Sequence, residues 1–174
     1  MISYLIKTVY LSLGIDSCRW FYWTDIGAKT IERVSMDGSN RTELHTTNLQ
    51  TPYSLTIDYK SQTLYWADYS LNRLESSNAD GSNRRLLTTT NIQGIYAMSF
   101  FAGNLYWTDW PFNGIHSAPS STPNNATFLV NLGGDPYDIH IVFDEVQLEG
   151  NNEYFHLFQF YSCYYYSSKF MCSG

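Results

Sequence analysis

The chain has 174 residues, a formal net charge of −6 and an aromatic fraction of 17%. A charged fraction of only 15%, combined with this many aromatic side chains, excludes an intrinsically disordered chain. The excess of acidic residues disfavours nucleic acid as a partner, because phosphate binding requires a surplus of Lys and Arg. The composition therefore points to a folded domain of modest size with a packed core.

The three cysteines, Cys18, Cys163 and Cys172, show neither the spacing of zinc ligands nor that of a disulfide framework. No metal or cofactor is expected, and pairing of Cys163 with Cys172 is left open. Residues 1–11 form an apolar lead-in interrupted by Lys7, without the cleavage site of a signal peptide. No apolar run reaches the roughly 18 residues of a membrane span, so direct membrane insertion is not expected.

Three copies of a Tyr-Trp-(Thr/Ala)-Asp motif divide the chain into repeats. The first tyrosines of successive copies are 43 and then 41 residues apart. A second motif, Asp-Gly-Ser-Asn-Arg, occurs at 37–41 and returns 43 residues later at 80–84. Motifs that move together in this way indicate a structural repeat. The repeat residues are Tyr22, Trp23, Asp25, Tyr65, Trp66, Asp68, Tyr106, Trp107 and Asp109.

Each repeat contains four short strand-like runs separated by turn residues. In the second repeat the runs are 54–57, 64–67, 73–77 and 85–88. Asp-Gly between the last two is a hairpin signal, because Gly tolerates a positive φ. Four antiparallel strands in about 40 to 45 residues form one blade of a β-propeller. We expect the Tyr and Trp to fill the layers between blades, and the three aspartates to accept hydrogen bonds from nearby backbone or from a neighbouring blade.

The motifs resemble the class B (YWTD) repeats of the low-density lipoprotein receptor family, especially receptor-related proteins of the Wnt co-receptor and endocytic types. The resemblance rests on Phe21–Asp25, Lys29–Arg33 and Met36–Arg41 and covers roughly 12–143. WD40 repeats have a similar period but lack the Tyr-Trp-Thr-Asp core. Because family propellers have six blades, the resemblance implies an all-β partial propeller of about three four-stranded blades. The predicted blades are 12–50, 51–92 and 93–135, with a closing strand at 136–143.

Residues 144–174 form an aromatic-rich, unassigned tail outside this resemblance. Two interpretations stay open: a truncated or mis-spliced product whose tail has no evolved structure, and a tail that covers an open blade face. The resemblance implies that the chain is a fragment holding the last three blades of a ring. Missing blades or a second copy are then expected to close it, since an open blade face exposes apolar surface.

The two ends of the blades differ in sequence. In an antiparallel meander, the turns after strands 1 and 3 share one end, and the turn after strand 2 shares the other with the link between blades. Two predicted N-glycosylation sites, Asn40 and Asn125, fall at the first end. The opposite end is the candidate ligand-binding face, although Trp110 and Phe112 have the alternative of packing into their own blade. The candidate residues are Tyr53, Tyr69, Asn72, Trp110 and Phe112.

These features predict a ligand-binding segment of a cell-surface receptor, on the extracellular side of the plasma membrane or secreted, with extracellular proteins as partners. The alternative is a structural propeller of the extracellular matrix, similar to nidogen. An enzyme is the weakest hypothesis, because the histidines share no position in the repeat that would pair them with an acid. They are His45, His116, His140 and His156.

Overall fold

In a computed structural model, the described part of the chain is built from strands. The described residues are 20–90, 92–147, 154–166 and 169–173. Their strands are β1 (Trp20–Asp25), β2 (Thr30–Ser35), β3 (Thr42–His45), β4 (Pro52–Asp58), β5 (Thr63–Asp68), β6 (Arg73–Asn78), β7 (Arg85–Thr88), β8 (Ile95–Phe101), β9 (Asn104–Asp109), β10 (Gly114–Pro119), β11 (Thr127–Asn131), β12 (His140–Gln147), β13 (Tyr154–Tyr166) and β14 (Lys169–Ser173). The lead-in and Cys18 lie outside these ranges.

Each predicted repeat corresponds to one antiparallel sheet. Strands β1–β3 form blade 1, β4–β7 form blade 2 and β8–β11 form blade 3, and each sheet follows the chain order. In the second repeat the strands lie at the predicted positions, with ends that differ by at most two residues. The predicted fold class, a partial propeller, is therefore confirmed, with four strands in blades 2 and 3 and three in the described part of blade 1, and the ring is not closed.

The Asp-Gly turns have the predicted backbone geometry. Gly38 and Gly81 have φ angles of 82° and 88°, which side chains with a Cβ rarely adopt. Asp80 Oδ1 accepts hydrogen bonds from the backbone amide and the hydroxyl of Ser82, at 2.9 and 2.6 Å. These bonds hold the pKa of the Asp80 carboxyl below its ordinary value. The same aspartate and serine contacts recur in the turn of blade 1.

The Tyr-Trp pair connects each blade to both of its neighbours. Adjacent residues on a strand point to opposite faces of a sheet. Accordingly, Tyr22 of blade 1 and Trp66 of blade 2 share one core cluster, whereas Tyr65 of blade 2 and Trp107 of blade 3 share the next. The tyrosine thus packs toward the following blade and the tryptophan toward the preceding one. Trp66 and Trp107 are both 0% exposed.

The outer members of this series lie on the two open faces. Trp23, on the free face of blade 1, and Tyr106, on the free face of blade 3, are only half-buried. Ile139 and Leu132 cover part of the blade 3 face beside Tyr106. The same dipeptide therefore seals an interface inside the array and leaves apolar surface at its ends.

A separate three-stranded sheet follows the blades. Strand β12 begins inside the predicted closing segment, continues past Phe143 and pairs with β13, which pairs with β14. The backbone register sets Cys163 opposite Cys172, and their pairing stays a prediction. In the described part of the chain, no helix has the length and apolarity needed to cross a membrane.

Candidate ligand-binding face

Five aromatic side chains form a continuous row at one end of blades 2 and 3. The row, here called the aromatic ladder, consists of Tyr69, Tyr53, Tyr96, Trp110 and Tyr137. Three of its members sit at the same repeat position and are 43 and 41 residues apart: Tyr53 and Tyr96 at the start of strand 1 of a blade, and Tyr137 just before β12. The other two, Tyr69 and Trp110, each follow the aspartate that ends strand 2. The repeat itself therefore places the ladder where neighbouring blades meet.

The rings of the ladder contact one another in sequence. Tyr53 stacks on Tyr96 with ring centroids 4.6 Å apart, and Tyr96 stacks on Trp110 at 4.5 Å and 9°. Tyr69 meets Tyr53 edge-on at 5.5 Å, and Tyr137 meets Trp110 edge-on at 5.1 Å. Such pairs each contribute about 0.5 to 1.5 kcal/mol beyond the area they bury. The ladder is therefore held rigid by its own contacts.

Trp110 and Tyr96 form the centre of the ladder. Trp110 Nε1 donates a hydrogen bond to Pro136 O at 2.9 Å, which fixes the indole across the link that leaves blade 3. Burial, and to a smaller extent the neighbouring Tyr53, raises the pKa of Tyr96 to about 12. Tyr96 therefore stays a neutral phenol throughout the physiological range. Trp110, like Tyr53, Tyr96 and Tyr137, is half-buried, whereas Tyr69 at the end of the ladder is exposed.

The structure separates the predicted binding residues into two groups. Tyr53, Tyr69 and Trp110 come together in the ladder. Asn72 is exposed, has a φ of 46° and donates its backbone amide to Tyr69 O at 3.3 Å, so turn geometry accounts for its position. Phe112 is 57% exposed and contacts His116 on the flank of blade 3.

Sequence reasoning missed Tyr96 and Tyr137 as members of this face. The signal was present, because both stand at the repeat position of Tyr53.

Both predicted glycosylation sites are at the end of the blades opposite the ladder. Asn40 lies in the turn between β2 and β3, and Asn125 in the turn between β10 and β11. Both residues are exposed. A glycan at either position would leave the ladder end open, so the predicted division between the two ends is compatible with the structure.

The repeat aspartates of blades 1 and 2 accept hydrogen bonds from backbone amides of neighbouring turns. Asp25 accepts a hydrogen bond from the Ala28 amide at 2.8 Å. Asp68 accepts three, from the backbone amides of Gln50, Thr51 and Leu71 at 2.7, 3.0 and 3.1 Å. The prediction that these carboxylates accept backbone hydrogen bonds is confirmed for both.

Asp109 differs from the other two aspartates. It is 1% exposed, and its Oδ1 has no hydrogen-bond partner among the described residues. Its Oδ2 lies 3.6 Å from His116 Nε2. Burial raises the pKa of the Asp109 carboxyl to about 6, although a backbone hydrogen bond from Phe112 opposes this shift. Burial also lowers the pKa of His116, so burial shifts the protonation equilibria of both groups toward their neutral forms.

Comparison with known proteins identifies the repeat. Residues 21–59 match the family described as low-density lipoprotein receptor repeat class B. The chain therefore contains a class B repeat. Over 121 residues it is 36% identical to the vitellogenin receptor of Solenopsis invicta, and over 97 residues it is 33% identical to the vitellogenin receptor Yl of Drosophila melanogaster. These alignments cover 69% and 55% of the chain, which spans only 7% and 5% of the two receptors.

A solved structure shares the fold of this chain. A chain in the crystal structure of a nidogen/laminin complex superimposes with a TM-score of 0.64 and 30% identity. The superposition covers 70% of this chain and 48% of that one. The same architecture thus occurs in a chain of a nidogen/laminin complex.

Proposed function

We propose that this chain is a ligand-binding segment of the extracellular part of a cell-surface receptor, and that the aromatic ladder contacts the ligand. One observation carries the proposal: five aromatic rings in mutual contact form a row at the end of the blades that bears no predicted glycan. Tyr and Trp offer a large contact area at low conformational cost, and they are enriched among interface hot spots. No chemical reaction is assigned to the chain.

The rigidity of the ladder supports a binding role. Binding usually costs conformational entropy, because side chains at an interface must be ordered. In the ladder, stacking and the bond from Trp110 to Pro136 O have already ordered the rings. Tyr69, at one end, is 37% exposed and offers the most accessible ring. A ligand would therefore meet a surface that loses little freedom on binding.

The relatives favour an endocytic receptor over a Wnt co-receptor. Both curated relatives are named vitellogenin receptors, so vitellogenin is the first ligand to test. Surface plasmon resonance on the immobilised full chain should show binding of purified insect vitellogenin. Because hot-spot truncations cost about 2 kcal/mol or more, the double variant Tyr69→Ala/Trp110→Ala should bind at least about ten-fold more weakly. Circular dichroism must show that this variant retains its fold.

A structural role in the extracellular matrix is the second candidate, and the similarity to a chain of the nidogen/laminin complex supports it. The same binding experiment separates the two. Laminin binding that depends on the ladder, without vitellogenin binding, would favour the matrix role. Binding of either protein that is unaffected by the double variant would reject the ladder as the site.

The open blade faces are also expected to need partners. Trp23 and Tyr106 remain half-buried there, whereas Trp66 and Tyr65 are sealed inside the array. We propose that further blades, or a second copy of this chain, cover these faces. Light scattering after size-exclusion chromatography tests the second-copy arrangement: a dimer supports it, and a stable monomer contradicts it.

A further inference from the structure

Strand β11 is an uncharged, apolar strand at the edge of its sheet. It pairs on one side with β10, and all five of its residues are exposed. Three consecutive side chains, Phe128, Leu129 and Val130, are 45%, 44% and 42% exposed. An edge strand of this kind is a template for pairing with another chain, because its backbone groups are free and no charge repels a partner.

The outer strands of the other two blades are protected differently. Strand β3 contains Glu43 and follows Arg41, and β7 begins with Arg85 directly after Arg84. By contrast, no Asp, Glu, Lys or Arg occurs between Asp109 and Asp135. Charged side chains are a common means of preventing edge pairing. The outer half of blade 3 lacks these charges, so a different means of preventing edge pairing is needed.

A glycosylation sequon immediately precedes the unprotected strand. Asn125-Ala126-Thr127 satisfies Asn-x-Ser/Thr, and its threonine is the first residue of β11. Asn125 is exposed in a turn in which its backbone amide donates to Thr122 O at 3.0 Å. The side-chain amide is therefore accessible at the position from which a sugar chain would reach β11.

We propose that an N-linked oligosaccharide on Asn125 covers the edge of β11 and replaces the missing charges as a barrier to strand pairing. The donor is a lipid-diphosphate-linked oligosaccharide of the secretory pathway. Asn125 Nδ2 bonds to the anomeric carbon C1, the bond from C1 to the diphosphate oxygen breaks, and the lipid diphosphate leaves with the electron pair. The amide nitrogen gives up one proton, and the resulting glycan is bulky and hydrophilic.

This proposal rests on the extracellular location in the proposed function, but it involves a different end of the molecule. The sequence of β11 suggests what happens without the sugar. Thr127-Phe128-Leu129-Val130-Asn131 has polar ends and an apolar centre, so two copies in antiparallel register about Leu129 would pair polar with polar and apolar with apolar. Self-association through β11 is therefore the expected consequence.

The Asn40 sequon provides a matched control. It occupies the same turn of blade 1, but the strand that follows it, β3, is charged. The full chain would be secreted from insect cells as wild type, Asn40→Gln, Asn125→Gln and Asn125→Gln/Leu129→Lys. Intact-protein mass would report glycan occupancy, and light scattering would report the oligomer fraction. The open blade faces are common to all four proteins, so their contribution cancels.

The Asn125→Gln variant should show an oligomer fraction about five-fold above that of Asn40→Gln, and Leu129→Lys should restore the lower value. Endoglycosidase trimming of the folded wild-type chain should also raise the oligomer fraction, which covers the case in which a variant fails to fold. An unoccupied Asn125, or equal oligomer fractions in the two single variants, would overturn the proposal. Neither result depends on vitellogenin binding, so failure here is distinct from failure of the ladder.

Discussion

Blades 2 and 3 share their inner architecture and differ in their outer halves. In blade 2, Trp66 lies beneath the guanidinium of Arg84, 5.4 Å from the ring centroid, and Arg84 Nε donates to Glu75 at 2.8 Å. In blade 3, His116 takes the position of Glu75 and stacks 5.8 Å from Trp107.

In blade 3, a third aromatic side chain packs against the His116 ring, which stacks on Trp107. Phe128 meets His116 edge-on at 5.0 Å, where blade 2 has its arginine and glutamate. The inner positions must fit a neighbouring blade, so they repeat from blade to blade. The outer positions have no such constraint, and blade 3 has exchanged an ion pair for an aromatic group.

The largest effects should come from the sealed tryptophans. Trp66→Ala or Trp107→Ala should lower the free energy of unfolding by about 3 to 5 kcal/mol, because each leaves a cavity between two blades. Trp23→Ala, on an open face, should cost about 1 to 2 kcal/mol. Urea denaturation with constant m-values would measure both. Equal losses for Trp23 and Trp66 would contradict the assignment of covered and open faces.

The next largest difference in stability between blades 2 and 3 should come from substitutions of their repeat aspartates. Asp68→Asn should cost about 2 to 3 kcal/mol at pH 7, since three backbone amides lose a charged acceptor. Asp109→Asn should be neutral or stabilising at the same pH, because it removes a buried charge whose Oδ1 lacks a partner in the described structure. Thermal unfolding of both variants would test this difference, and a large loss for Asp109→Asn would refute it.

The pH dependence of Asp109 follows from its raised pKa. A carboxyl that titrates near 6 in the folded chain and near 3.8 when unfolded favours folding below pH 4 and loses that contribution as the pH rises through 6. Asp109→Asn should therefore gain stability relative to wild type between pH 4 and pH 7, by about 1 to 3 kcal/mol. A difference in unfolding free energy that is independent of pH would exclude the assignment.

At the interface between blades 1 and 2, the stability is expected to depend on pH in the opposite direction and to a smaller extent. His45 Nε2 lies 3.0 Å from Ser77 Oγ, and its ring lies 4.8 Å from that of Trp66. Burial, and to a smaller extent the positive charge of Arg84, lowers the pKa of His45 to about 4. Its contribution to stability is thus present above pH 6.5 and lost as the pH falls toward 4.

Unfolding of wild type and His45→Gln at several pH values tests this. Between pH 6.5 and pH 4, wild type should lose about 1 to 2 kcal/mol more than the variant. Parallel curves would show that His45 is not buried in its neutral form.

The repeat made most of the blade architecture predictable. Strand positions, Asp-Gly turns and buried Tyr-Trp pairs all follow from motifs that recur in register. Predicting which neighbouring blade Tyr65 and Trp66 each pack against requires the arrangement of the blades, which the sequence of a single repeat does not contain. The tail has no regular hydrophobic period, so its strands and the pairing of β12 with β13 could not be predicted from pattern alone.

The candidate site was predictable only in part. Tyr53, Tyr69 and Trp110 were identified as exposed loop aromatics, but their contacts run through Tyr96, a half-buried strand residue that loop composition does not reveal. Phe112 has the same loop location as the ladder residues, yet its ring turns toward His116. Side-chain direction within a turn depends on the fold around it, and sequence position alone does not fix it.

The most direct test of the ladder is a comparison of two exposed aromatic residues. Tyr69 belongs to the ladder, whereas Phe112 is more exposed and lies outside it. Vitellogenin affinity should fall at least about ten-fold for Tyr69→Ala and less than about two-fold for Phe112→Ala. Equal affinities for the two variants, or a larger loss for Phe112→Ala, would contradict the ladder as the ligand-binding surface.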